Sequence, residues 1–151
     1  MSNGVTLQIV GAEDAAAWME KYGEDVTREV SKIVARAALK FDRRVKRAIQ
    51  RGPKTGRVYT RGSGQNLSGT HQASKGGEAP ATDTGALVSS IYFKQISRLS
   101  AEVGSRLAYA AALEWGTSRM DARPAWQPAV AAEMPDFERA VRDAMQKATK
   151  K

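Results

Sequence analysis

Hydrophobic residues recur every third or fourth position through Val26, Val30, Ile33, Val34, Ala37, Phe41, Val45 and Ala48. That spacing places them on one side of a helix of about 3.6 residues per turn. Arg28, Lys32, Arg36, Lys40, Arg43, Arg47 and Arg51 fall on the other side, within roughly a third of the circumference at about 100° per residue. Asp25 or the Gly23-Glu24 turn opens this predicted helix. Gly52-Pro53 closes it, because proline lacks the N–H the ladder needs and restricts the residue before it. Running from about residue 24 to 51, it would be roughly 40 Å long and form the scaffold of the fold.

The remaining chain patterns differently. Val5-Thr6-Leu7-Gln8-Ile9-Val10 alternates and is β-branched, so a strand is expected, and Glu13 to Met19 reads as a short helical lead-in. Thr82 or Asp83 is placed to cap a helix of one or two turns. Ile91–Ile96 and Ala101–Gly104 predict an antiparallel hairpin around Ser97–Ser100. Leu107 to Trp115 suits a buried, Ala-rich helix that Gly116 ends in a left-handed cap. Pro124 and Pro128 flank Trp126 ahead of a final helix, which Pro135 should break or kink. A second stripe of Phe137, Ala140, Val141, Ala144, Met145 and Ala148 follows, ending in Lys147, Lys150 and Lys151 as the helix dipole favours.

Residues 52–82 carry seven glycines and few large apolar side chains beyond Val58, Tyr59 and Leu67, and read as one long flexible loop. The expected class is α+β: a long N-terminal amphipathic helix and a C-terminal helix on a small antiparallel sheet. One domain spans 1–151, divided into a strand and lead-in (1–22), the basic helix (23–51), the Gly-rich loop (52–82) and the hairpin with its two following helices (83–151).

Composition narrows the chemistry. The chain has no cysteine, so thiolate catalysis, disulfides and Cys-ligated zinc are excluded, and His71 is its one histidine. His71 has no carboxylate or serine beside it in sequence, and the 16 Asp and Glu residues fall in no metal-binding or nucleophile-elbow spacing. Catalytic, cofactor and metal sites are therefore not expected. Gly52-Pro53-Lys54-Thr55 lacks the upstream glycine of a phosphate loop, and the triplet Asn66-Leu67-Ser68 has no secretory signal to give it meaning. No apolar run reaches the ~18–20 residues of a bilayer span, so a soluble, intracellular protein is expected.

The net charge is +8, and its distribution matters more than its size. Between Arg28 and Arg61 twelve Lys or Arg stand against Glu29 and Asp42, a local +10, so the rest of the chain nets −2. The stripe on the long helix is either a solvated face or a surface that meets something negative. With no aromatic residues interleaved, any contact to nucleic acid would be to the backbone and indifferent to sequence.

Two segments read together resemble a known family. The first is Pro80-Ala81-Thr82-Asp83-Thr84-Gly85-Ala86-Leu87-Val88-Ser89-Ser90-Ile91. The second runs from Tyr109-Ala110-Ala111-Ala112-Leu113-Glu114-Trp115-Gly116-Thr117 through Arg123-Pro124-Ala125-Trp126 to Ala129. In order and spacing, with the basic helix before them, they are similar to the neck and tail-completion proteins of tailed phages, the "gp-ten-like" tail components. Departures exist: Ala86 and Val88 stand where such proteins often carry a charge, Trp115 where Phe is usual, and Ala125-Trp126 in place of Phe-Leu.

The resemblance implies a small α+β subunit of a ring, commonly hexameric, at the head–tail junction or the top of the tail. Such a ring acts as tail terminator or head–tail joining protein, and the genome passes through its hole. Its partners would be copies of itself, other neck and tail-tube proteins and, in passing, genomic DNA. Its location would be the virion, and the host cytoplasm during assembly. Candidate interface residues are Trp115, Gly116, Thr117, Met120, Arg123, Pro124 and Trp126. The basic stripe would face DNA or an acidic protein surface. A sequence-independent nucleic-acid-binding module using residues 28–61 is the alternative, and a small hydrolase using His71 comes last.

Overall fold

The computed structural model describes residues 5–10, 20, 23–60 and 69–150. The N-terminal alternation forms β1 (Thr6–Val10). The amphipathic stretch is one unbroken helix, α1 (Glu24–Arg51). Gly23 opens it at φ 82° without a side-chain cap, and the Gly52 N–H closes it on the Ala48 carbonyl at 2.9 Å. Val34, Ala38, Val45 and Ile49 are fully buried along its inner face and Phe41 nearly so. Each larger side chain there contributes roughly 1.5–3 kcal/mol of burial, so this single stripe organises the core.

Next come two three-residue strands, β2 (Val58–Thr60) and β3 (Thr70–Gln72), then the short helix α2 (Ala86–Ser90), which runs straight into β4 (Ile91–Ser97). β5 (Ser100–Ser105), α3 (Tyr109–Trp115) and α4 (Trp126–Thr149) complete the chain. The main sheet has the order β1-β5-β4 and is antiparallel throughout. Leu7 faces Val103 and Phe93 faces Val103 from the other side, so these share the face toward α1. Gln8, Glu102 and Lys94 alternate onto the opposite face, where the Tyr92 hydroxyl donates to Glu102. This one-sided pattern is what an antiparallel sheet with one solvated face requires. α1 lies across β4 and β5, and α4 packs along α1. The α+β class read from the sequence is the observed one.

Four expectations are corrected. Residues 52–82 are not one loop without regular structure. β2 and β3 pair as an antiparallel stem, Tyr59 opposite His71, and the legs of that stem are tied down. The Glu78 carboxylate accepts from the Thr55 N–H (2.9 Å), the Lys75 N–H (2.9 Å) and the Thr55 hydroxyl (2.5 Å). The Lys54 ammonium donates to the carbonyls of Ala48 (3.3 Å) and Ala79 (2.9 Å). Three-residue strands are too short to show an alternation, and ties between residues more than twenty apart leave no local pattern. The segment 61–68 between the strands and the lead-in expected at Glu13–Met19 lie outside the described residues.

Second, neither Thr82 nor Asp83 caps α2. Gly85 takes the position before it at φ 78°, and the Ala86 N–H donates to Thr84 Oγ1 at 3.3 Å. Third, α4 passes through Pro135 without breaking. The carbonyl that loses its partner there belongs to Ala131, which is exposed like Pro135 itself and so open to solvent in place of the lost N–H. Fourth, Trp126 is 3% exposed and belongs to the core rather than to a free surface.

Glu78 makes the stem legs pH-sensitive in a predictable direction. Its three donors, the Lys75 N–H first, hold its carboxyl down from 4.5 to about 2. A group depressed in the folded state stabilises above its unfolded value and loses that contribution as pH falls through its folded one. The Thr55 and Lys75 amide proton shifts should therefore titrate with a midpoint near 2, not 4.5. Glu78→Gln should abolish that transition while leaving the core signals in place.

Candidate functional site

The second motif builds a corner between two helices. α3 buries Ala110 and Glu114 on one face, and Glu114 is 1% exposed. Its carboxylate accepts from three successive backbone N–H groups at the start of α4: Ala125 (2.8 Å) and Trp126 (3.0 Å) on Oε2, Gln127 (2.7 Å) on Oε1. No residue at the start of α4 caps it from within. A carboxylate delivered from another helix does so instead, at the end where the dipole favours negative charge. Between the helices Gly116 sits at φ 75°, and a Cβ there would lie 2.8 Å from both Ala122 N and Met120 O. Glycine fits on both counts. Thr117 and Met120 exchange backbone hydrogen bonds of 2.8 and 3.3 Å, and the Arg123 N–H returns to the Leu113 carbonyl.

The candidate interface residues therefore divide. Gly116, Thr117, Arg123 and Trp126 shape the corner. The Arg123 guanidinium also reaches back to the Ser74 carbonyl at 3.2 Å and so ties the corner to the stem leg. Met120 and Pro124 are half-buried. Trp115 is 68% exposed, one residue after the buried Glu114 and about 100° round the helix from it. Tyr109 on the same helix and Val58 and Tyr59 on β2 are about half exposed as well. Apolar and aromatic surface of this kind at a corner and on an exposed stem is what protein interfaces use.

All seven stripe residues are exposed on α1. Arg28 pairs with Asp25 (2.6 Å) and Lys32 with Glu29 (3.4 Å). Arg36, Lys40, Arg43, Arg47 and Arg51 have no carboxylate partner among the described residues, so five uncompensated cations lie along about four turns. Asp42, read from sequence as an offset to the stripe, is buried and paired with Lys46 at 2.8 Å.

His71 does acquire an acidic neighbour that sequence distance concealed: Asp83 Oδ1 lies 3.7 Å from its Nδ1. The two stand at a recess of about 260 Å³ that Ser74, Tyr109 and Arg123 also line. Among the described residues no group of three His, Asp or Glu could hold a metal ion, and no helix is long and apolar enough to cross a membrane. Glu114 and Glu78, the two carboxylates that organise the site, are not among the candidate residues the sequence offers, although Glu114 stands inside the second motif. A lone acid on the inner face of an Ala-rich helix was the available signal for Glu114, since buried charge demands donors. Comparison with protein-family models, curated proteins and solved structures finds no match.

Proposed function

We propose that this chain is a structural subunit of a tailed-phage particle that closes into a ring, six copies in the resembling family, at the head–tail junction or the top of the tail. The observation that carries the reading is the exposure of Trp115 on a corner that the buried Glu114 and Trp126 fix from within. Evolving a rigid turn, fixed by a buried carboxylate and a positive-φ glycine, merely to hold an indole in water would serve nothing. A heterologous contact of that indole with the next copy gives the corner a use, and such contacts close into rings when the rotation permits. The aromatic stem then has a neighbour to lie on. No catalytic role belongs to this reading. Sedimentation of the pure protein across a range of concentrations, with electron microscopy of the largest species, tests it. A closed, concentration-dependent ring is expected, and a monomer at every concentration up to about 1 mM overturns it.

A second reading has its own observation, the five uncompensated cations of α1. A sequence-independent nucleic-acid contact through phosphates would use them. Its signature is a duplex affinity falling with salt at a log–log slope of about −0.9 per phosphate neutralised.

A further inference from the structure

We infer that the groove between α1 and α4 is a docking site for an amphipathic helix of a partner protein, acidic along one flank. The inference goes beyond the ring reading and does not rest on it, because none of the groove residues belongs to the candidate ring contacts. Two adjacent recesses of about 210 and 370 Å³ share Lys40, Glu133 and Asp136 in their walls and together mark the groove. Along α1 it runs from Ile33 to Arg47, roughly 20 Å at 1.5 Å per residue, about four turns of a helix laid beside it.

Its chemistry is layered. Ile33, Ala37, Phe137 and Ala140, half-buried in the isolated chain, give the smaller recess an apolar floor, and the larger is lined by charged side chains alone. The α1 rim is cationic, with Arg36, Lys40, Arg43 and Arg47 carrying no carboxylate partner among the described residues. The α4 rim carries Glu133 and Asp136. Glu133 is engaged by Arg44 at 2.5 Å and Asp136 by Arg139 at 3.4 Å, so neither quenches the four free cations.

Each candidate occupant meets these layers differently. A nucleic-acid backbone is anionic on every side, and it would bring phosphate against two carboxylates and an apolar floor. An extended peptide would set unpaired backbone N–H and C=O groups on that floor, which costs free energy with nothing to offset it. A helix satisfies its backbone internally. It can place an apolar ridge on Ile33 and Phe137 and a row of carboxylates against the α1 rim alone. The asymmetry of the rim therefore specifies both the occupant and its rotation.

The test uses the full chain and three probes. One is an 18-residue peptide with Leu on one helical face, Glu along one flank and Gln elsewhere. The second is the same composition scrambled, and the third a 20-base-pair DNA duplex. Fluorescence anisotropy should show the patterned peptide binding at least about tenfold tighter than the scrambled one. The double variant Arg43→Glu, Arg47→Glu should lose about tenfold or more for the patterned peptide. Ala140→Gln, which fills the floor without altering charge, should weaken it as well. Equal binding of patterned and scrambled peptide, no binding of either, or duplex DNA binding tighter than the patterned peptide each overturns the inference. Sedimentation of the same variants keeps the two questions apart. A groove variant that still forms rings but ignores the peptide supports the inference, and peptide binding by a chain that never forms rings overturns only the ring reading.

Discussion

Replacing Glu114 by alanine is expected to cost about 3–5 kcal/mol of stability, the largest effect of any single substitution proposed for this chain. Its carboxylate holds three backbone N–H groups at 2.7–3.0 Å, and two of them, on Ala125 and Trp126, belong to buried residues. Hydrogen bonds to a charged acceptor contribute roughly 1.5–3 kcal/mol each, and donors left buried without a partner add their desolvation cost. The favourable placement of negative charge at the start of α4 is lost too. For a chain of this length the midpoint of thermal unfolding should drop by about 10–15 °C. Glu114→Gln should recover part of the loss, since it keeps one acceptor oxygen but turns an N–H₂ group toward a donor. Glu114→Asp, shorter by one methylene, should not reach all three. Urea unfolding of the three variants gives the ranking, and an alanine variant within about 1 kcal/mol of the parent would show that the carboxylate is not what fixes α4.

The elements that were legible in the sequence are those whose stabilising contacts repeat along the chain. α1 announces itself because Val30, Val34, Phe41, Val45 and Ile49 return to the same face turn after turn, and Gly52-Pro53 ends it by a local rule. The β4–β5 hairpin is similarly self-contained. What escaped depends on distant partners. Thr55 with Glu78, and Ser74 with Arg123, fix a glycine-rich segment through long-range hydrogen bonds that no window of neighbouring residues displays.

Trp126 is a different case, because a local signal was present and was cut short. The stripe through Phe137 extends back through Glu133 and Val130 to Trp126 at helical spacing. A helix broken at Pro135 would end that continuation, but the helix is unbroken there. Proline on the exposed side of a helix costs one hydrogen bond that water can replace, so the stripe continues across it. That phase places Trp126 inside. The helical phase of Ala110 and Glu114 likewise turns Trp115 outward, so the two tryptophans of the motif were separable by phase although their flanking sequences look alike.

Neighbouring positions thus carry opposite duties: Glu114 points in and sets the corner, while Trp115 points out and leaves 68% of its surface exposed. Trp115→Ala should accordingly leave the stability of the isolated subunit within about 0.5 kcal/mol, as for an exposed site. Its effect should fall on association. A buried tryptophan at the centre of an interface typically carries about 2–4 kcal/mol, which is roughly a 30- to 1,000-fold change in the dissociation constant of each contact. Every contact of a closed ring would bear the same loss, so the variant should sediment as monomer at concentrations where the parent is assembled. Trp115→Phe should retain most of the association, because a phenyl ring fills much of the same pocket and phenylalanine is the residue usual there in the proteins this motif resembles. Trp115→Glu should be at least as disruptive as alanine, since it would bury an unpaired charge in the contact. Unfolding curves superimposable on the parent, together with loss of the large species in sedimentation, would complete the assignment. Rings of parental size and stability formed by Trp115→Ala would remove Trp115 from the interface and with it the observation on which self-assembly through this corner is argued.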